Sequence, residues 1–551
     1  MNNLKKTHKN LILFILFSSF LIIGLVTFRD YAVHIEEKFH RTNGLFWLNY
    51  LLNFTNFEDI KNISFIKFKG IGDYTLSSVN HYNKYGIIFD LPAAFIEILL
   101  NLEESRDFYQ LRHFLSFLLF FSSSIFFYKI LNNRFKSFNV SVIGTIFYVL
   151  SPRIYGDSFL YKDVLFLSLI TFTIYSVFLC FDKLNYKNLT ILAVLSAFCI
   201  STRIIGIFIP VSFSLMLLLT LITQKQKKEI FIKCFFYLCL CVFFLLIHWP
   251  YLWESPTNNF VLLFKSLKYD LMDVKILFNN EFINNRILRY EYIPYWIVLT
   301  TPILNLIFFI YGLSLGFKRI FFRFISIDKE TKQSDFWRGG KEKKDFFIFF
   351  NIFSILLFLI TFNVGLYNGW RIIYFLNIFI IYYAAFGFYI VLSILKKRNY
   401  RFILNLSVLI LSLFLILRMN IYHPYQSVYF NFLVPDKIKN SFEIDYYGLG
   451  GARFLNRIIA MEPNKKLVKI GVASHTPLQR SVEFLKQSEK NKFEIVGQEY
   501  HEADYIFKNN ISEVNSKYND KYDVPYNFVK IEEYILDGIL IYELFKLNEN
   551  Q

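Results

Sequence analysis

The chain has 551 residues, of which 55% are hydrophobic, 20% aromatic and only 19% charged, with 68 Phe and 37 Tyr. This composition, gathered into long apolar runs rather than amphipathic stripes, excludes a soluble globular enzyme and marks a polytopic membrane protein. The net charge of +17 sits in alternate connections between the runs, so it reads as a topology signal and not as a nucleic-acid surface.

Runs that match the bilayer core fall at roughly 11–28, 112–131, 138–151, 164–181, 188–202, 204–222, 231–248, 294–317, 346–362, 370–395 and 402–419, about eleven spans. The first is followed by bulky "VTFRDY" rather than a small-residue cleavage site, so it is expected to remain as a span. Six basic segments fall on one side if each span crosses once. They are Lys5, Lys6 and Lys9; Arg134 and Lys136; Lys183 and Lys187; Lys225, Lys227, Lys228 and Lys233; Lys318, Arg319 and Arg323 with Lys341, Lys343 and Lys344; and Lys396, Lys397, Arg398 and Arg401. Lys and Arg favour the cytoplasmic side, so the N-terminus is expected inside and the C-terminus outside a cytoplasmic (inner) membrane. Cys180, Cys199, Cys234, Cys239 and Cys241 all lie in apolar runs. That argues for small buried hydrophobes over a disulfide framework or a zinc site.

The fold class expected is therefore an all-α membrane bundle over 1–419 with a small α/β domain over 420–551. In the first outer loop, about 29–111, "RDYAVHIEEKFHRTNG" packs acids and bases densely directly after the first span, and "YGIIFDLPAAFIEILLN" reads as a helix lying in the interface. The second, about 249–293, is amphipathic and aromatic and also reads as interfacial. The charged connection 318–345 reads as a flexible link. In the tail, "KLVKIGVAS" and "ILIYELFKL" predict strands and "QRSVEFLKQSEK" a helix. No internal repeat is visible, which disfavours an inverted-repeat transporter.

Six separate segments place acids and bases at the outer ends of spans. They carry Asp30, His34, Glu36, Glu37, His40 and Arg41; Arg153, Asp157, Lys162 and Asp163; Arg203; His248; Arg371; and His423 with Tyr425. Each alone has a bland reading: a solvated loop charge, a helix-start acid, or a cation reaching the headgroups. Tyr31, Trp47, Trp249, Tyr251, Trp253, Tyr367 and Trp370 fit an aromatic belt. Together the segments point to a polar cavity open to the outer leaflet. Sugar transfer from a lipid phosphate needs such a mixture. A carboxylate takes the acceptor's proton, and cations neutralise the departing phosphate.

Taken in order, "HIEEKFHRTNGLFWLNY", "SPRIYGDSFLYKD", "STRIIG" and "NGWRIIYF" resemble segments of the GT-C membrane glycosyltransferases, of the protein mannosyltransferase and aminoarabinose-transferase kind (families 39 and 83). The resemblance covers about residues 10–430. It implies a polyprenyl-phosphate sugar donor and an acidic pair after the first span, here Glu36-Glu37 where those enzymes usually carry Asp-Glu. Arg153, Lys162 and Asp163 match a recurring Pro-Arg…Lys-Asp pattern, and Arg203 and Arg371 match arginines near the lipid phosphate. On this reading Glu36 is the general base with Glu37 second, Asp163 a further catalytic candidate and Asp30 an alternative. Arg371, Arg203, Arg153 and Lys162 meet the phosphate, and His248, His423 and Tyr425 make other substrate contacts. The acceptor stays open among a lipid glycan, a polysaccharide and a protein. No cofactor motif, nucleotide-phosphate loop or metal-ligand pattern is present, and a divalent ion is left open. The rivals are a transporter or flippase of lipid-linked saccharides, and a polymerase or ligase of them. Neither needs an early acidic pair.

Overall fold

Backbone groups in a bilayer must be satisfied within their own segment, so the apolar runs become helices. In the computed structural model, which describes residues 2–69, 84–160, 162–223, 227–269, 275–325, 337, 339–367, 369–511 and 520–548, they do. Among the described residues, nine helices are long and apolar enough to cross a membrane. They are α1 (Asn2–Thr27), α5 (Ser105–Phe135), α8 (Lys162–Asp182), α10 (Phe208–Thr223, extended by a preceding turn), α11 (Lys227–His248), α14 (Ile303–Ile325), α15 (Gly340–Thr361), α16 (Leu376–Ile394) and α17 (Arg398–Ile421). Two shorter apolar helices, α6 (Phe138–Val149) and α9 (Tyr186–Thr202), occupy the other expected spans. The chain is a multi-pass helical membrane protein with a small C-terminal sheet domain.

Exposure separates the lipid face from the core. On α17, Leu406, Leu409, Ile410, Leu413 and Leu417 are exposed. On α16 every residue from Leu376 to Phe388 is buried. The helices α14 and α16 touch backbone to backbone through glycines. A Cβ on Gly312 would lie 2.1 Å from the Tyr383 carbonyl oxygen, and one on Gly387 would lie 2.2 Å from that of Phe308. Any side chain there forces the pair apart. Buried Cys180, Cys199, Cys234 and Cys241 behave as small apolar fillers, whereas Cys239 is exposed on α11.

The expected span 294–317 is cut in two. Pro302 has no N–H to donate and disfavours helical backbone at the residue before it. Thr301 is accordingly extended (φ −78°, ψ 134°), and a separate helix α13 (Tyr292–Thr300) precedes α14. The expected span 370–395 likewise opens with a 3-10 turn at Arg371–Ile373 before α16 begins.

The basic connections meet at one end of the bundle. Arg134 pairs with Asp345, its Nε donating at 2.6 Å, and the Tyr382 hydroxyl donates to the same carboxylate at 2.7 Å. Lys344 donates to Asn133 at 2.5 Å and pairs with Asp182. The connection 318–345 otherwise falls largely outside the described residues.

At the opposite end the first loop folds into α2 (Glu37–Leu52), α3 (Glu58–Lys69) and α4 (Asp90–Leu99), and the short α7 (Pro152–Asp157) follows α6. The second loop holds α12 (Pro256–Tyr269) and, where an interfacial segment was expected, an antiparallel hairpin of β1 (Lys275–Phe278) and β2 (Glu281–Asn284). The tail seats on that hairpin. Asn280 N–H donates to the Ser441 carbonyl at 3.0 Å, and Phe278 meets Phe442 with ring centres 5.6 Å apart.

The tail's sheet has the order β4-β3-β5-β7-β6. Its strands are β3 (Val468–Ala473), β4 (Phe493–Gly497), β5 (Tyr505–Lys508), β6 (Phe528–Leu536) and β7 (Ile539–Leu547). β3 pairs in parallel with β4 and β5, and β7 runs antiparallel to β5 and β6. The helix expected at 479–490 is two short turns, Gln479–Glu483 and Gln487–Lys490. The helix Gly450–Met461 packs on the sheet instead.

Candidate active site

The segment after α1 has no regular structure over 31–34 and turns at Ile35–Glu36, and α2 begins at Glu37. Successive residues at a helix start point about 100° apart. The two glutamates therefore part company. Glu37, 2% exposed, turns inward, facing His113 Nε2 at 2.9 Å and accepting from the His34 N–H at 3.0 Å. Glu36 keeps 30% of its side chain exposed, turns outward and pairs with Arg371. Its own N–H donates to His34 Nδ1 at 2.9 Å, which fixes the turn.

The rest of the dense charge pattern anchors α2. Arg41 pairs with Glu97 at 2.7 Å. Asp90, fully buried at the start of α4, faces His40 at 3.5 Å and Arg112 at 3.4 Å and accepts from Asn43 at 2.9 Å. These partners hold its carboxyl below the usual range against the opposing effect of burial. Asp30 faces His423 Nε2 at 2.9 Å.

Beyond Glu36 the charges form a chain. Arg371 Nη1 lies 3.3 Å from His34 Nε2 and 3.6 Å from Asp163 Oδ2, and Asp163 also pairs with Arg203. Arg203 caps the end of α9 in extended backbone (φ −149°), and a 3-10 turn at Ile204–Ile207 then leads into α10. Lys162, at the start of α8, sets its ammonium 3.4 Å from the centre of the Tyr85 ring. Glu36, Lys84, Lys162, Arg203 and Arg371 line one cavity of about 140 Å³, with Tyr85 and Tyr367. The remaining wall is largely apolar, with Ile204, Ile205, Leu263, Leu359 and Val364, and Ser201 and Thr202 interrupt it. Four basic side chains line it against one carboxylate; with Asp163 behind, basic groups outnumber acids by two. The Nε atoms of both Arg203 and Arg371 are buried with no hydrogen-bond partner.

Burial pushes the Glu36 carboxyl up, but Arg371 and His34 beside it more than offset this and leave it well below the ordinary range. It is ionised at neutral pH. Asp157 behaves oppositely. Burial, helped by nearby Asp163, pushes it up to about 8 although Tyr447 donates to its Oδ2 at 2.6 Å. An acid whose folded pKa exceeds its unfolded value binds more protons folded than unfolded between the two values. Stability should therefore fall as pH rises from about 4 towards about 8. Asp157→Asn should flatten that part of a melting-temperature profile; an unchanged slope would refute a neutral Asp157.

The other residues singled out by sequence lie elsewhere. Arg153 is buried beside this cavity rather than on it. Its Nε donates to the Tyr429 carbonyl at 2.8 Å, and its guanidinium lies 5.0 Å from Trp296 and 4.9 Å from Phe430. His248 stands one residue behind the wall, Nε2 2.7 Å from Ser201 Oγ and Nδ1 2.6 Å from the Phe244 carbonyl. Tyr425 lines a second cavity, which His423 borders through Asp30.

Sequence reasoning did not find Lys84, Tyr85 or the tail's own contribution. Tyr446 and Tyr447 lie 6.0 and 5.5 Å from the Arg371 guanidinium, and the Tyr447 ring is 4.2 Å from that of His34. Gly448 follows at φ +75°. The glycine-rich "YYGLGG" was the one local sign of a forced turn there. Among the described residues, no three His, Cys, Asp or Glu side chains group as metal ligands.

No protein-family profile matches the sequence, and no curated protein does. Among solved structures the chain is similar to ArnT from Cupriavidus metallidurans, a crystal structure bound to undecaprenyl phosphate. The identity is 12%, the match covers 89% of this chain and 86% of that one, and the TM-score is 0.44.

Proposed function

We propose that this chain is a GT-C-type membrane glycosyltransferase that moves a sugar from a polyprenyl-phosphate donor to an acceptor. The acceptor is a lipid glycan, polysaccharide or protein on the outer side of the cytoplasmic membrane. The observation that carries this is one ionised carboxylate, Glu36, set among basic side chains in a cavity whose other wall is largely apolar and at the end of the bundle. Basic connections gather at the opposite end, and the preference of Lys and Arg for the cytoplasmic side supports an outer position for the cavity and the tail.

In the proposed reaction Glu36 takes the proton from the acceptor hydroxyl as its oxygen attacks the anomeric carbon. The bond from that carbon to the phosphate oxygen breaks, and the lipid phosphate leaves with the electron pair. Arg371, Arg203 and Lys162 neutralise its charge, and the idle Arg203 and Arg371 Nε–H groups are donors for its oxygens. Asp163 positions both arginines. The prenyl chain follows the apolar wall.

Mass spectrometry of the purified chain should find a co-purifying polyprenyl phosphate or its sugar ester. Supplying proteoliposomes with a panel of polyprenyl-phosphate sugars should yield free polyprenyl phosphate and a glycosylated acceptor. Movement of the intact donor across the bilayer without sugar transfer would make the chain a flippase, and this reading would fall.

A further inference from the structure

A cavity of about 550 Å³ lies away from Glu36 between the end of α1, the start of α5 and the tail. Three guanidiniums line it, those of Arg29, Arg106 and Arg453. Each is laid against an aromatic ring, Phe28 at 5.4 Å, Phe484 at 5.6 Å and Tyr534 at 4.0 Å. Among the described residues none of the three has a carboxylate within ion-pair distance, whereas Arg41, Arg203, Arg371, Arg418 and Arg457 at the same end each do. Lys486, Asp30 and Glu489 also line the cleft, so four basic side chains face two acids, and Asp30 is turned to His423. A guanidinium held by its face keeps its in-plane N–H fork available, and that fork fits a carboxylate or phosphate with two parallel bonds.

We infer that this cleft binds an acidic saccharide, the phosphate- or carboxylate-bearing part of the acceptor. The volume lies within the range of about 300–1,000 Å³ usual for small-molecule sites. The half-buried Phe484 in its wall offers ring surface to sugar C–H faces. The walls are tied together rather than loosely apposed. The Tyr109 hydroxyl donates to Glu483 at 2.9 Å and Lys490 donates to Ser105 at 2.8 Å, joining α5 to the tail.

Position supplies the link to chemistry. Asp30 and Ala32 line the cleft and Glu36 lines the donor cavity. Six residues of chain span at most about 20 Å even when fully extended. An oligosaccharide anchored by its charge in the cleft can therefore present a hydroxyl to Glu36. The acceptor role rests on the proposed transfer reaction; the binding of an acidic saccharide does not.

The test uses the full chain in phosphatidylcholine nanodiscs without donor. The probe is a fluorescein-labelled heparin tetrasaccharide, with labelled maltotetraose as its uncharged counterpart. The acidic probe should bind, more weakly as salt rises, and maltotetraose should not. The variant Arg29→Gln/Arg106→Gln/Arg453→Gln should lose at least about tenfold in affinity. Where that variant melts early, the single Arg453→Gln on its exposed helix face should still lose severalfold. Arg203→Gln, which alters only the donor cavity, should bind the probe like the parent. Equal binding by maltotetraose, undiminished affinity in the triple variant, or a matching loss in Arg203→Gln would each overturn the assignment. So would displacement of the probe when phosphatidylglycerol replaces part of the nanodisc lipid, since the cleft would then take a lipid headgroup.

Discussion

Glu36→Gln should insert, fold and retain donor lipid, yet turn over about 10²–10⁴-fold more slowly, the usual cost of removing a general base. The loss should fall on kcat, because a base acts in the transition state and contributes little to ground-state binding. The free enzyme holds Glu36 against Arg371, with its carboxyl well below the ordinary range. A base so acidic is weak. The entering phosphate competes for Arg371, and the carboxylate it releases becomes the stronger base. The parent's kcat/KM, which reports the free enzyme, should stay nearly level from neutral pH down to the mildly acidic range, since Glu36 remains ionised there. Glu37→Gln tests the other half of the pair. Its carboxylate faces His113 and lies 2% exposed, so the variant should melt earlier while kcat changes little. Near-parental kcat in Glu36→Gln with a defined donor would remove Glu36 from the chemistry. A large kcat loss in Glu37→Gln without a stability change would hand the role to its neighbour.

The division between these two carboxylates shows how far the sequence could be read. Apolar run length placed the membrane helices, because a bilayer imposes one length on every span and the backbone one way to cross it. Even the break before α14 was written in Pro302. The acids and bases of 29–44 were visible as a cluster, but the cluster serves two purposes. Arg41, Asn43, His40 and Glu37 fasten α2 to α4 and α5, and Glu36 alone of them faces the cavity. Which carboxylate faces which way depends on helical phase at α2's first turn, and phase is set by partners such as His113, 76 residues downstream of Glu37. Long-range pairing also hid the β1–β2 hairpin, whose four-residue strands carry little pattern of their own and whose place is fixed by Ser441 and Phe442 of the tail. Arg153 illustrates the converse. An arginine at the outer end of a span looked like a phosphate ligand, but a carbonyl and two aromatic rings hold it beside the cavity.

Arg371→Ala should raise the donor KM strongly and lower the melting temperature, and the two losses have separate origins. Arg371 is 2% exposed and, among the described residues, alone pairs with both carboxylates, Glu36 directly and Asp163 at 3.6 Å. Its removal leaves Glu36 without its partner, while Asp163 keeps Arg203. Stripping one partner from a fully buried pair typically costs about 3–5 kcal/mol. Glu36 is 30% exposed, so water screens part of its charge, and a cost of about 1–3 kcal/mol is the better expectation. A double-mutant cycle isolates this term. With Glu36→Gln already in place there is no charge left to strand, so adding Arg371→Ala should cost less stability than it does in the parent. The donor effect should persist in that background, because it comes from the phosphate and not from Glu36. Arg371→Lys should recover part of the melting temperature and only a fraction of donor affinity, since an ammonium supplies charge but no planar fork for two phosphate oxygens. Unfolding followed by intrinsic fluorescence, with donor KM in proteoliposomes, reads both terms. If Arg371→Ala keeps the parental donor KM, the phosphate does not sit against this arginine. If the cycle is additive, the Glu36–Arg371 pair contributes nothing to holding the site together.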